Sequence, residues 1–231
     1  MLAIIPARGG SKGLHRKNIK LLNGLPLIYY SIKAALDSKL VNRVIVSTED
    51  KEIANIAKDF GAEVPFMRPD SLASDKSMVI DTYFNVVDQI SKQNSKPVES
   101  FLALLPTTPL RTSNDIDRAI KIFNHKKANS VISVNESSKP LYWHRRITKD
   151  GKLKSFLPKF DAVKNRQEFE KTYLPNGAIY VFLTEALRST REYYSNKTYP
   201  YIMPIEKSID IDNETDFEIA EYLLKKQLKS I

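Results

Sequence analysis

Through the first half of the chain, short apolar runs alternate with stretches in which apolar residues recur every three or four positions. The run LAIIPA, beginning at Leu2, reads as a buried strand, and Ile28, Ile32, Ala35 and Leu36 then fall on one helical face. RVIVST predicts a second strand, followed by a helix with Ile53, Ile56, Ala57 and Phe60 turned inward and Gly61 as its stop. EVPFMR predicts a third, short strand ahead of a helix carrying Tyr83, Val86, Val87 and Ile90. SFLALL is the fourth strand, Ile116, Ala119, Ile120 and Phe123 mark the next helix, and SVISV is the fifth strand. Strands alternating with helices of this length predict a three-layer α/β fold around a mostly parallel sheet.

The alternation stops at about Asn135 and resumes at about Leu174. Between them lie the single tryptophan, a His-Arg-Arg triplet, Pro140, Pro158 and a Lys-Asp-Gly suited to a hairpin turn. A polar excursion of this length reads as a lid, a binding arm or a dimerisation element. GAIYVF then returns as a strand, YPYIMP as an edge strand because of its two prolines, and Phe217, Ala220 and Leu224 define a closing helix. The expected organisation is one domain over residues 1–231, with 135–174 projecting from it.

Composition narrows the chemistry. With 42 % apolar residues the 231-residue chain can bury a sizeable core. It has neither an apolar run long enough to span a bilayer nor the start of a signal peptide, so a cytoplasmic protein without membrane contact is expected. There are no cysteines, which excludes disulfides and thiolate metal sites and leaves oxygen or imidazole for any metal. The net charge of +9 is compatible with nucleic acid, an anionic membrane surface or an acidic small substrate, but much of it is lysine scattered over helix faces. The local concentration of charge is more informative.

That concentration is the loop after the first strand, where Arg8, Lys12, Arg16 and Lys17 lie among glycines. A loop leaving the C-terminal end of a parallel strand sits where open α/β sheets bind ligands, and glycines let backbone N–H groups approach an anion. Polyphosphate is the expected ligand, although neither the Walker spacing nor the dinucleotide G-x-G-x-x-G is present. Far along the chain, in SIDIDNETD, Asp210 and Asp212 alternate with Ile209 and Ile211, so that an extended segment puts both carboxylates on one face. Two adjacent carboxylates repel, and a hard ion such as Mg²⁺ is the natural compensation; Asp216 reads as the acidic N-cap of the last helix. Magnesium opposite a phosphate loop implies chemistry on a nucleoside triphosphate. His15, His125 and His144 show no metal-ligand spacing, and no general base stands out beyond a metal-bound water or a carboxylate of the aspartate pair.

The motifs PARGGSKGLHRKN, RPDSLASD, LLPTTPLR, an Arg-Gln eight residues before PNGAIY, and SIDID occur in the order and spacing of the acylneuraminate cytidylyltransferases, which the chain resembles from residue 2 to about residue 225. The resemblance extends to the enzymes that make CMP-legionaminic and CMP-pseudaminic acids. It implies a Rossmann-like nucleotidyltransferase fold, a homodimer, and transfer of CMP from CTP to the anomeric 2-hydroxyl of a nine-carbon α-keto acid sugar. By the same resemblance Arg8, Ser11, Lys12 and Lys17 cradle the triphosphate, with Lys17 foremost in stabilising the leaving group and Asn18 beside the nucleotide. Arg68 lies at the cytidine side, Asp210 and Asp212 hold Mg²⁺, Asn176 and Gly177 line the acceptor site, and Arg166 pairs with the sugar carboxylate. The 135–174 arm is the dimerisation element, reaching toward the partner's active site.

Three positions depart from the sialic-acid pattern: Leu105 stands for a glutamine, Leu174 for an arginine, and Tyr142 for a lysine. Fewer buried polar partners favour a more apolar acceptor, such as a deoxygenated legionaminic or pseudaminic acid. Competing readings are a 3-deoxy-manno-octulosonate cytidylyltransferase, whose opening loop lacks the Ser-Lys-Gly and Lys-Asn of this chain, and a basic RNA-binding protein. The eleven tyrosines are not interleaved with arginines as RNA recognition requires, so no nucleic-acid partner is expected.

Overall fold

The structure is a computed structural model that describes residues 1–10, 13–74, 76–157 and 169–229. In chain order the elements are β1 (Leu2–Pro6), β2 (Leu21–Leu22), β3 (Leu25–Pro26), α1 (Leu27–Leu36), β4 (Arg43–Ser47), α2 (Lys51–Asp59), α3 (Val79–Asn94), β5 (Ser100–Ala103) and α4 (Ser113–Lys126). They continue with β6 (Ser130–Glu136), β7 (Arg145–Ile147), β8 (Leu153–Ser155), β9 (Tyr173–Leu183), α5 (Thr184–Thr190), β10 (Thr198–Ile202) and α6 (Glu214–Leu228).

Six strands form the main sheet in the order β10-β6-β9-β5-β1-β4. All neighbours run parallel except β9, which is antiparallel to both β5 and β6. The alternation of the strands divides the core. Ala3, Ile5, Val44, Val46, Leu102 and Leu104 meet the buried faces of α1, α2 and α4, while Leu2, Ile4, Ile45, Phe101 and Ala103 meet α3 and α5. This is the three-layer arrangement the periodicity predicts. A third cluster, with Leu14, Leu22, Leu27, Leu110, Ile211, Phe217, Ala220 and Leu224, glues α6 and the segment before it to the loop that follows β1.

Local signals account for most boundaries. Asp50 caps α2 by accepting from the Glu52 and Ile53 N–H groups, and Gly61 closes that helix region with φ +88°. Thr112 with Asp115, and Asn213 with Asp216, form capping boxes at α4 and α6, so the N-cap of the last helix is Asn213 and Asp216 is its reciprocal partner three residues on. EVPFMR does not form a strand: Glu63 makes one bridge to Ile45, and Pro65 has no N–H to continue the ladder. Leu36, the final residue of α1, is 46 % exposed and lies against Gly61 instead of entering the core.

The arm begins and ends as part of the main sheet, with Asn135 opposite Leu174 and Glu136 opposite Tyr173. Beyond that point β7 and β8 form a separate hairpin whose turn uses Gly151 at φ +81°. Its large apolar side chains point outward: Trp143, Ile147, Leu153 and Phe156 are all exposed.

Candidate active site

A cleft of about 440 Å³ opens at the C-terminal rim of β1, β4 and β5. Its walls bring together Arg8, Gly13, Lys17, Asn18, Arg68, Leu105, Thr107 and Asp212, with Ser74 and Ser77 also among the lining residues. Residues from four separate regions of the sequence thus share one space. Ser11, Lys12 and Arg166 lie outside the described residues.

The basic loop is gripped from both ends. Asn18 is buried and donates to the Arg8 carbonyl at 2.8 Å, which closes the loop on itself. Gly9 donates its N–H to Glu49 Oε1 at 2.7 Å, and Gly9 lies so close to Asp50 that a Cβ would come within 2.6 Å of Oδ2. Arg16, one of the four cations expected at the ligand, turns away instead. It has a left-handed backbone with φ +50° and pairs with Asp50 at 2.9 Å and with Glu52 at 2.7 Å. Its charge is engaged at the α2 terminus.

Lys17 points the other way, toward the acidic segment. Its Nζ donates to the Ile211 carbonyl at 2.5 Å and lies 3.4 Å from Asp212 Oδ1. Ile211 is fully buried and its N–H donates to the Thr107 carbonyl at 2.8 Å, whereas Asp212 is exposed and Asp210, though exposed as a whole residue, sets its carboxylate back against Gly177. The alternation expected of this segment is therefore present without its being a strand of the sheet. Gly13 presses against its backbone, and a Cβ there would stand 2.1 Å from the Asp212 carbonyl oxygen. Loss of water around Asp210 raises its carboxyl above the usual carboxylate range, and the charge of Asp212 raises it further, against the Thr107 hydroxyl, Lys17 and Arg111.

At the position expected to line the acceptor, Gly177 adopts φ +73°, and a Cβ there would lie 3.3–3.4 Å from Leu105, Asp210 and Thr108 side-chain atoms. The positive φ is what favours glycine here, and the surrounding side chains leave little spare room. Asn176 does not face the cleft. It is buried, its Oδ1 accepts from the Ser133 hydroxyl and the Ala178 N–H, and its amide donates to the Ser208 hydroxyl. It fixes the backbone at Gly177 and the approach to the aspartate pair. Leu174 is 57 % exposed at the base of the arm, and Tyr142 stacks on Phe169 with ring centroids 5.1 Å apart.

Two residues of the LLPTTPLR motif acquire roles that their sequence did not specify. Thr107 links the acidic segment to the sheet through its carbonyl and bonds Asp210 through its hydroxyl. Arg111 is buried and donates to Ala178 and Leu105 carbonyls and to the Ser31 and Thr108 hydroxyls, holding β9 and the cleft wall in place. Burial lowers its guanidinium to about 9, with Asp210 and Asp115 opposing the shift. The motif itself was the available signal; the identity of the residues it braces was not.

As a cation site, the donor set is two carboxylates with a threonine hydroxyl nearby, and no group of three or more acidic, histidine or cysteine side chains suited to a metal occurs among the described residues. Such a set fits Mg²⁺, which takes one or two carboxylates and completes its shell with water and phosphate oxygens.

The family model for cytidylyltransferases matches residues 2–229. The CMP-N,N'-diacetyllegionaminic acid synthase of Legionella pneumophila is 39 % identical over 230 residues, covering 97 % of this chain and 96 % of that protein. The N-acylneuraminate cytidylyltransferase of an Escherichia coli O18:K1:H7 strain is 35 % identical over 98 % of this chain, which spans 52 % of that longer protein. Among solved structures, a CMP:2-keto-3-deoxy-manno-octonic acid synthetase complexed with CTP superposes with a TM-score of 0.71 over 98 % of both chains at 15 % identity, a likeness of fold. With its glycine-rich basic loop opposite an aspartate pair, and a match running almost from end to end, this chain belongs to the cytidylyltransferase family.

Proposed function

We propose that this protein transfers CMP from CTP to the anomeric 2-hydroxyl of a nine-carbon α-keto acid sugar and releases pyrophosphate. The observation that carries the reading is the single cleft in which Arg8, Lys17, Asn18 and Arg68 converge with Asp212, with Asp210 beside Gly177 at its edge. The acceptor oxygen attacks the α-phosphorus, the bond from that phosphorus to the bridging oxygen breaks, and the hydroxyl proton passes to solvent or a nearby base. Arg8 and Lys17 stabilise the charge that accumulates on pyrophosphate. Asp210 and Asp212 would hold Mg²⁺, which when bound supplies Lewis-acid stabilisation of the phosphoryl oxygens. Asn18 shapes the loop from beneath, and Arg68 borders the end of the cleft assigned to cytidine.

The acceptor we favour is a deoxygenated relative of sialic acid. Leu105 brings an apolar side chain to the cleft wall beside Gly177, and the relative at 39 % identity carries a legionaminic name. The octulosonate alternative has support from fold alone. We also propose that a second copy covers the exposed apolar side chains of the arm, and that the reaction takes place in the cytoplasm; no helix among the described residues is long and apolar enough to cross a membrane.

The test is pyrophosphate release from CTP and Mg²⁺ with legionaminate, pseudaminate, N-acetylneuraminate or 3-deoxy-manno-octulosonate supplied separately, with the product identified by mass. A CMP-sugar from a nine-carbon acid is expected, with kcat/KM highest for a deoxygenated acceptor. Clear preference for N-acetylneuraminate overturns the acceptor assignment, and activity with the octulosonate alone overturns the nine-carbon reading. Sedimentation at micromolar concentration should give twice the chain mass, and a monomer would remove the second copy.

A further inference from the structure

We infer that Glu49 is a positioning residue that couples the two ends of the nucleotide site, setting the phosphate loop against Arg68; the inference rests on the cytidylyl-transfer reading above. Glu49 lies two residues beyond β4, at the same rim as the cleft. Its Oε1 accepts the Gly9 N–H at 2.7 Å, and its Oε2 lies 3.9 Å from Arg68 Nη1. The side chains of Arg68 and Glu49 are only 4 % and 16 % exposed, so little water screens the pair. Arg68 donates its Nε to the Ser47 hydroxyl and an Nη2 proton to the Ser47 carbonyl, which turns Nη1 toward Glu49. Arg8 opposes Arg68 with a like charge, and the carboxylate supplies the compensation.

The two carboxylate oxygens have separable roles. Oε2 is buried and accepts no hydrogen bond, so it holds Arg68 by charge, whereas Oε1 places the loop through a hydrogen bond that a neutral acceptor can also make. Glu49→Gln keeps the acceptor for Gly9 but leaves a buried guanidinium without its counter-charge. Glu49→Ala removes both connections. A residue that merely supported the fold would not distinguish the two substitutions by ligand.

The experiment is calorimetric titration of the parent and both variants with CMP, whose base reaches the Arg68 end, and with inorganic pyrophosphate, which engages the loop. For Glu49→Gln the expected result is a Kd for CMP raised at least tenfold, with pyrophosphate bound as in the parent or tighter. Glu49→Ala should weaken both ligands at least tenfold. A Glu49→Gln protein that binds CMP within twofold of the parent overturns the inference, as does equal weakening of both ligands in that variant. Arg68→Met should weaken CMP in the parent and add less than twofold to Glu49→Gln, because the two side chains act as one unit. If Arg68→Met leaves CMP binding unchanged in the parent, the placement of the base is wrong and the inference falls with it; if the parent binds neither CMP nor pyrophosphate, the nucleotide reading itself fails.

Discussion

On one flank of the basic loop, Asp50 and Glu52 receive the Arg16 guanidinium; on the other, Asp210 and Asp212 crowd each other with Lys17 alongside. The Arg16 hydrogen bond holds the Asp50 carboxyl below the usual carboxylate range, against a smaller desolvation effect, whereas Asp210 is raised by loss of water and by its acidic neighbour. Both segments present acids to the same loop. The first is electrostatically satisfied and stabilises the fold, while the second keeps an uncompensated repulsion, which is why we propose it as the cation site.

The largest effect that tests this contrast is expected from Asp212→Asn. Turnover should fall by roughly two to three orders of magnitude if charge stabilisation carries the reaction, with the melting temperature unchanged or raised because one of two repelling charges is gone. Near-parent kcat would erase the distinction between the flanks. Gly13→Ala comes next, since its Cβ would stand 2.1 Å from the Asp212 carbonyl and must displace the acidic segment. A loss of about tenfold to a hundredfold in kcat is expected, with a stability cost of about 1–3 kcal/mol for overpacking; parent kinetics would show that the segment's position is not critical.

On the satisfied flank the readout is stability. Asp50→Ala removes the α2 cap together with the Arg16 partner and should cost about 1–2 kcal/mol in urea unfolding, with kcat within about threefold of the parent, as for a group outside the reaction. Asp50→Asn retains a good cap and should cost less. A collapse of kcat in either variant would put Asp50 in the site. The smallest effect concerns pH. A carboxyl held below its ordinary value of 3.8 contributes stability above that value, and the contribution disappears as pH falls through the folded-state value. The gap in melting temperature between parent and Asp50→Asn should therefore be constant from neutral pH to about 5 and close below about 4. A gap that does not change with pH would mean that the Arg16 pairing contributes nothing.

The elements that sequence periodicity located are those whose signals are local. The faces of α3 and α4 were legible because Tyr83, Val86, Val87 and Ile90, and likewise Ile116, Ala119, Ile120 and Phe123, carry a complete helical stripe, and all eight are buried. EVPFMR looked like a strand by hydropathy and failed on the single missing donor of Pro65. In the site, the aspartate pair was readable from its two-residue period. What composition did not resolve is the divergence of Arg16 and Lys17, adjacent cations that leave the loop in opposite directions because Arg16 takes a left-handed backbone. Nor did Asn176 announce that its amide would be consumed by Ser133 and Ser208, since those partners come from two distant segments. Such assignments depend on long-range geometry, which local pattern does not encode.

The contact between Lys17 and Asp212 joins positions 195 residues apart. During synthesis β1, β4 and β5 are all available once residue 103 has emerged, so the loop has its scaffold while more than half the chain is still to be made. The acid pair arrives only with the final segment. A nascent or cleaved chain ending before residue 209 would lose the two carboxylates and, with them, Ile211, Phe217, Ala220 and Leu224, which pack against Leu14 and Leu22 beside the basic loop. The final segment is therefore needed twice over, for the acids it carries and for the packing that holds the loop in place.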